Sequence, residues 1–498
     1  MKQLSGLDAL FLNIESAEAP MHIGGVAILD LAHAPPGFGF AAVRQRIAER
    51  LHLLPGLRRR LVGMPFNLVP PLWIEDPDFR LDRHVRQVQL KPPGRDVQLA
   101  ELVATLTATP LPRDRPLWSF HYVEGLSRRR AACISIIHHA CVDGIFGAEL
   151  MGKLLDPVPE PPRPAPSAEW DPDEFPLAID RLRFTVRQAW TRHRRFLGLV
   201  RSSAPQVLRL GRSLLGGGPD RAEDAEAPTA FKGLKPAPRT RFNVAIGAGR
   251  SYAFRSLPLE RIKAVKNAFG ISLNDAVLLV CTGALREYLR GKNELPARPL
   301  VAAVPISVRT PKDDTEGNRV SMLTAELPTQ LDDPLQRVTA LMRSTVQLKR
   351  VHRAVPARLL SDWMELPAPA LMARAARVYE NFVHSDRLKS PVNVLISNVP
   401  GPREPLYLAG APLLASYPIS IPYHGLALNI TVFSYCGQLD IGLTACRDAV
   451  PDIRHLMDLH AAALDELTAA AGLIPPASVR RAPPLRDAQA KPVRKQAQ

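Results

Sequence analysis

No apolar run in this 498-residue chain is long enough to cross a bilayer: the longest, around residues 276 to 281, falls far short of the roughly 20 residues a spanning helix needs. The first thirty residues lack a basic stretch followed by a long apolar one, so no secretory signal is expected. The five cysteines, Cys133, Cys141, Cys281, Cys436 and Cys446, form no CxxC pair and show no metal-ligand spacing. That argues against a disulfide framework and a structural metal site, and for reduced, mostly buried thiols in the cytosol. Acidic residues are the scarcer charge, 48 against 64 Lys and Arg, which leaves a net +16. The expected partner or substrate is therefore anionic, and nucleic acid, anionic lipid and phosphorylated CoA all qualify on charge. No series of aromatics interleaves with the basic residues, which argues against a nucleic-acid surface.

What is present is ordinary for a folded protein: 46% hydrophobic and 22% charged residues, in a chain long enough for two or three cores. One stretch organises it. Ala131 to Ile137 reads as a short buried strand ending at His138 and His139, and a helix is expected to start at or just after Asp143-Gly144. Adjacent histidines on an extended backbone point to opposite faces, so only one of them faces a substrate directly and the other supports it. An HH pair is ordinarily a satisfied core pair or a surface accident. Here it terminates a buried strand and precedes Asp-Gly at a helix start, the arrangement that holds a proton-accepting imidazole rigidly beside a cleft.

The rest alternates helices and strands. Within Leu4 to Gly25 a short helix is capped by Ser5 or Asp8, Val26 to Leu29 is a strand, Phe40 to Leu54 and Leu99 to Leu106 are helices, and Val85 to Leu90 is a strand. Trp118, in Pro116-Leu117-Trp118, lines a channel or fills the core, and the core is favoured because so large a ring gains most from burial. From residue 156 a proline-rich linker leads to a basic segment, Arg181 to Arg212, with nine arginines and no acidic residue. There Leu182, Val186, Trp190, His193, Leu197 and Val200 form one helical stripe bordered by Arg183, Arg187, Arg194 and Arg201. The stripe either lies on an anionic lipid surface or packs on the body of the protein. Pro205 is expected to interrupt this helix.

In the second half, a helix from Ser272 to Leu289 is capped by Ser272 or Asn274, with Asp275 in its first turn. Leu300 to Arg309 reads as a strand, and Val392 onward as a strand running into the stiff turn Asn398-Val399-Pro400-Gly401-Pro402. A hairpin follows over Leu426 to Ala445, then a final helix to about Ala471 and a disordered basic tail over 475–498. The expected division is 1–155, a connection over 156–250, and 251–474.

The string His138-His139-Ala140-Cys141-Val142-Asp143-Gly144 resembles the HHxxxDG signature of the acyltransferases related to chloramphenicol acetyltransferase. Further matches point to the bacterial wax ester synthase/diacylglycerol acyltransferase family. They are Leu4-Ser5…Phe11-Leu12, Pro20-Met21-His22…Gly24, Pro116-Leu117-Trp118, Asn274-Asp275, the VPxSxR-like run ending in Arg309, and Asn398 to Pro402. The resemblance runs from Leu4 to about Ala471. It implies an α/β fold of two chloramphenicol-acetyltransferase-like halves with mixed sheets and a tunnel between them. It also implies transfer of a fatty acyl group from acyl-CoA, a co-substrate, to diacylglycerol or a long-chain alcohol, with no further cofactor and no metal. On this resemblance His139 is the general base, His138 its support, and Asp143 a structural residue held by Arg309. Asn274 or a backbone N–H near Gly144 serves the oxyanion, with Asp275 and Asn398 close by. A condensation-type acyltransferase using carrier-bound acyl groups and a non-catalytic lipid-coat protein are the alternatives. The expected place of work is the cytoplasmic side of the inner membrane or the surface of lipid droplets.

Overall fold

The computed structural model describes residues 2–141, 151–160, 172–215, 236–307, 320–354, 369–385 and 390–473. Two six-stranded mixed sheets carry it. The first runs, in spatial order, Tyr407–Leu408, Ala411–Ile419, His22–Asp30, Arg130–His138, Trp118–Leu126 and Val85–Gln89. The second runs Val320–Leu327, Leu300–Ser307, Val394–Val399, Leu428–Tyr435, Gln438–Cys446 and Arg250–Pro258. The expected two-part α/β architecture with mixed sheets is thus the observed one.

Strand patterns follow burial. Leu428–Tyr435 is covered on both faces and reads as nearly continuous buried residues rather than an alternation. Its neighbour Val394–Val399 is parallel to it, and the crossover between them is made through the Ala411–Ile419 segment. The second sheet is backed by Leu273–Arg290, a helix buried along nearly its whole length, packed on Ile453–Ala470 and Leu259–Phe269. Ser272 is the cap of that helix: its Oγ accepts the Asp275 N–H at 3.1 Å while Asp275 Oδ2 accepts the Ser272 N–H at 3.2 Å. Leu259–Phe269 stops at Gly270, whose φ of 64° is the left-handed conformation that closes a helix.

The two parts are not separable where the sequence divides them. Ala411–Ile419, from the second half of the chain, pairs with His22–Asp30 and extends the first sheet. The second core also begins before residue 251, because Phe242 and Ile246 are buried among the side chains of Leu273–Arg290. A third, three-stranded sheet of Lys2–Gln3, Leu72–Glu75 and Arg59–Val62 was not foreseen. It serves as the seat of the basic helix Ala178–Leu215, which packs on it through Phe184 and Ala189. That helix continues through Pro205 instead of breaking there: a proline removes one backbone donor, about 3 kcal/mol, and 38 residues of helix absorb it. Among the described residues no single helix is long and apolar enough to span a membrane. The expected tail over 475–498 lies outside the described residues.

Gly24 shows why a motif residue is small. A Cβ on it would sit 1.8 Å from the carbonyl oxygen of Ser135 in the paired strand, where only backbone shift gives relief. Gly24→Ala is expected to cost ~1–3 kcal/mol or more, as overpacking does. A denaturant midpoint equal to wild type would contradict this.

Candidate active site

The strand Arg130–His138 is held on both edges, with His22 opposite His138 on one side and Trp118 opposite Ile137 on the other. Past its last residue the chain stays anchored: the His138 N–H donates to Leu117 O at 2.9 Å and the His139 N–H to Met21 O at 2.8 Å. A single 3₁₀ turn, His139–Cys141, follows. The two rings therefore diverge, as alternation along a strand requires.

His138 is buried. Its Nδ1 accepts the Ala140 N–H at 3.0 Å, which places the ring proton on Nε2, 3.3 Å from Glu15 Oε1. Glu15 ends the helix Gly6–Ile14 and also accepts the Met21 N–H at 3.2 Å and a guanidinium N–H of Arg113. Burial works to raise the Glu15 pKa, but the hydrogen bond with His138 and the charge of Arg113 outweigh it and bring the carboxyl down to about 2. His22 completes this cluster, edge-on to His138 and 4.0 Å from Glu15 Oε1, with burial holding its pKa at about 4.

His139 is half-buried, its ring stacked on Phe11 of the same helix at 3.8 Å and 18°. Its Nδ1 is enclosed with no hydrogen-bond partner among the described residues. Burial presses its pKa down to about 4, so near neutral pH the ring is uncharged and able to accept a proton. Phe11 and Ile14 also pack against the core of the second half, so the helix Gly6–Ile14 places the turn at the junction of the two parts.

Asn274 and Asn398 are brought together, Asn398 Nδ2 donating to Asn274 Oδ1 at 3.5 Å. Neither is hydrogen-bonded to His139 in this structure. Asp275 is occupied in the helix cap, a structural task. Asp143, Gly144 and Arg309 lie outside the described residues. Trp118 is a core residue, its indole N–H donating to Leu57 O at 2.7 Å and its ring stacked on His84. Glu15 and Arg113 were not singled out by the sequence: in ESAEAP nothing local separates Glu15 from Glu18, and only the fold carries one of them to a buried histidine.

The family model described as wax ester synthase/diacylglycerol acyltransferase catalytic domain matches residues 4–277, and the C-terminal domain model of the same family matches residues 316–468. The chain belongs to the wax ester synthase/diacylglycerol acyltransferase family. A Mycobacterium tuberculosis protein named a diacylglycerol O-acyltransferase is 39% identical over 94% of this chain and all of its own length. The O-acyltransferase WSD of Acinetobacter baylyi is 33% identical, over 92% of this chain and 95% of its own. Among solved structures, the wax ester synthase/diacylglycerol acyltransferase of Marinobacter aquaeolei superposes with a TM-score of 0.67 at 27% identity, covering 95% of this chain and all of that one. The starter condensation domain of rhizomide synthetase shares the fold, with a TM-score of 0.52 at 12% identity over 95% of this chain and 94% of its own. The chain is an acyltransferase. In this acyltransferase the catalytic-domain match ends at residue 277, so Asn398 and the sheet-completing strand Ala411–Ile419 both come from the C-terminal domain.

Two outcomes follow from the charges. Five histidines, His22, His121, His139, His424 and His460, are each held near 4 by burial, against an ordinary 6.5. Their folded-state pKa values are depressed, so the unfolded chain binds more protons once the pH falls below 6.5, and stability declines progressively toward pH 4. Glu15 adds to the same decline at lower pH, since its stabilisation is complete above 4.5 and is lost as the pH falls toward 2. Urea midpoints at pH 7.5 and pH 5 should differ clearly, and coincident midpoints would refute the buried neutral histidines. Glu15→Gln removes the anion facing His138 and Arg113 and is expected to lower kcat about 10-fold or more with the fold retained, at the scale of a ~1–3 kcal/mol loss for an orphaned buried partner. Unchanged kcat with an unchanged pH profile would deny Glu15 any part in holding the turn.

Proposed function

We propose that the protein joins a fatty acyl group from acyl-CoA to the hydroxyl of diacylglycerol or of a long-chain fatty alcohol, by direct attack with His139 as general base. The observation that supports this most is His139 itself: an uncharged imidazole on an anchored turn, at the junction of the two halves, its ring fixed by Phe11. The named relatives, a diacylglycerol O-acyltransferase and an O-acyltransferase WSD, support the same acceptor class.

A neutral hydroxyl is a poor nucleophile at pH 7, so its proton must leave as it attacks the thioester carbonyl. His139 takes that proton while the new C–O bond forms. The resulting oxyanion needs donors, and the side-chain amide of Asn274, paired with Asn398, is assigned that role in this reading together with a backbone N–H near Gly144. Collapse breaks the C–S bond, and the imidazolium returns its proton to the departing CoA thiolate. No acyl-enzyme is needed when both substrates are bound together. His138 acts behind the reacting atoms: its bond from the Ala140 N–H shapes the turn that aims its neighbour. Asp143 is assigned the structural pairing with Arg309 and no proton transfer. Because both acceptors reside in a lipid phase, the reading places the enzyme at the cytoplasmic face of the inner membrane or on lipid droplets.

His139→Ala should lower kcat by about 10²–10⁴, the usual contribution of a positioned base, while the circular dichroism spectrum is kept. Wild-type turnover by the folded variant would rule the base assignment out. Thin-layer analysis of labelled acyl-CoA incubated with hexadecanol, diacylglycerol or no acceptor tests the acceptor class. Ester formed from free acyl-CoA excludes a requirement for a carrier protein, and no ester with either acceptor defeats the proposal.

A further inference from the structure

Between Ile179 and Trp190 the basic helix Ala178–Leu215 leaves its apolar stripe uncovered. Phe184, Ala189 and the buried Thr185 form its packed side. Ile179, Leu182, Val186 and Trp190 form the adjoining stripe and are exposed, Val186 by 63% and Trp190 by 66%. Arg183, Arg187 and Arg194, all exposed, run along the border of that stripe. A helix that used its apolar stripe only to dock on its own protein would bury it, and this one buries a different face.

Two further apolar features adjoin it. The turn Pro65–Asn67 touches both the basic helix and the helix Pro369–His384. At its tip Phe66 is 80% exposed with a φ of 56°, a left-handed conformation that costs a bulky residue energy and here presents an aromatic ring to solvent. Pro369–His384 exposes Leu371, Val378 and Phe382 along one face, with Arg374 and Arg377 exposed on the same helix. That helix packs in turn on Gly6–Ile14, whose Phe11 holds His139.

We infer that Ala178–Leu215, the Pro65–Asn67 turn and Pro369–His384 form one docking face for an anionic phospholipid surface, continuous with the helix that carries the catalytic turn. Charge complementarity selects this occupant: the basic helix holds nine arginines against one acid, Asp180 in its first turn, so its field is strongly positive. The face deepens the proposed function by giving a lipid acceptor a short path from membrane to site, and it rests on that reading for its purpose although not for its geometry.

Sedimentation with phosphatidylglycerol vesicles and with phosphatidylcholine vesicles tests it. The full-length protein should partition to the anionic vesicles, less so as salt is raised. Arg187→Gln with Arg194→Gln should weaken binding about 25-fold, from roughly fivefold per arginine. Phe66→Ser and Trp190→Ser should each weaken it about fivefold, the scale of one apolar group withdrawn from the interface, and the pair Val378→Ser with Phe382→Ser about 25-fold. Wild-type protein that stays in the supernatant overturns the proposal, as does wild-type sedimentation of the Phe66 variant or of the Val378/Phe382 pair, which would restrict contact to one helix. Turnover of acyl-CoA with a short, water-soluble alcohol, unchanged in all these variants, separates loss of docking from failure of the acyl-transfer reading.

Discussion

The structure depends on one short helix gripping two neighbouring rings. Gly6–Ile14 ends in Glu15, a carboxylate placed where burial alone would be costly, and the surrounding donors offset that cost: Arg113, the Met21 N–H and His138. A largely enclosed anion bonded to the Met21 N–H and to Arg113 permits little movement, and the Ala140 N–H holds the neighbouring His138 in one tautomer. One turn earlier on the same helix, Phe11 stacks on His139. The imidazole assigned to chemistry and the imidazole assigned to support are thus fixed by the same element from two sides.

That helix has a second allegiance, since Phe11 and Ile14 also belong to the core of the other half. The exchange of Ala411–Ile419 into the first sheet works in the same direction. Tyr252 OH donates to Pro418 O at 3.0 Å and Asp440 accepts the Ser416 N–H at 2.7 Å, so the exchanged strand is tied to the sheet it left as well as to the one it joined. The turn after Asn398 closes tightly for a similar reason: a Cβ on Gly401 would strike the Phe433 ring and the Ser434 carbonyl at 2.3 Å. An acyltransferase that binds two unlike substrates needs its halves held in register, and here covalent order is interleaved to do it.

Charge is handled differently in the body and on the surface. In the body, guanidinium groups are satisfied locally: Arg50 by Asp156 and two carbonyl oxygens, Arg286 by Asp332 and Thr329 O, Arg250 by backbone carbonyls. The basic helix has nine arginines and a single acid, Asp180, along its own length, beside apolar side chains that the fold leaves uncovered. Half of the excess positive charge that singles out the composition is therefore a local feature with a direction, rather than part of a uniform field.

Much of this was legible in the residues. The buried run 131–137 and its two terminal histidines marked the site, the hairpin over Leu426 to Ala445 matched its apolar pattern, and Ser272 or Asn274 marked a helix start, because period and capping chemistry are encoded within a few residues. Alternation along a strand also required the two rings to part. Ala411–Ile419 escaped notice, since prolines at both ends and a mixed apolar pattern disguise a strand whose partners lie nearly 400 residues upstream. Glu15 was indistinguishable from Glu18, and the outward turn of the Trp190 stripe could not be told from an inward one, because a helical period states which residues share a face and not what that face meets. The sequence alone determined the kind of element at each place and the chemistry available there; the tertiary structure alone decided which carboxylate reaches His138, which strand completes the first sheet and which side of the basic helix stays open, since each is a contact between segments that only chain closure brings within a few ångströms.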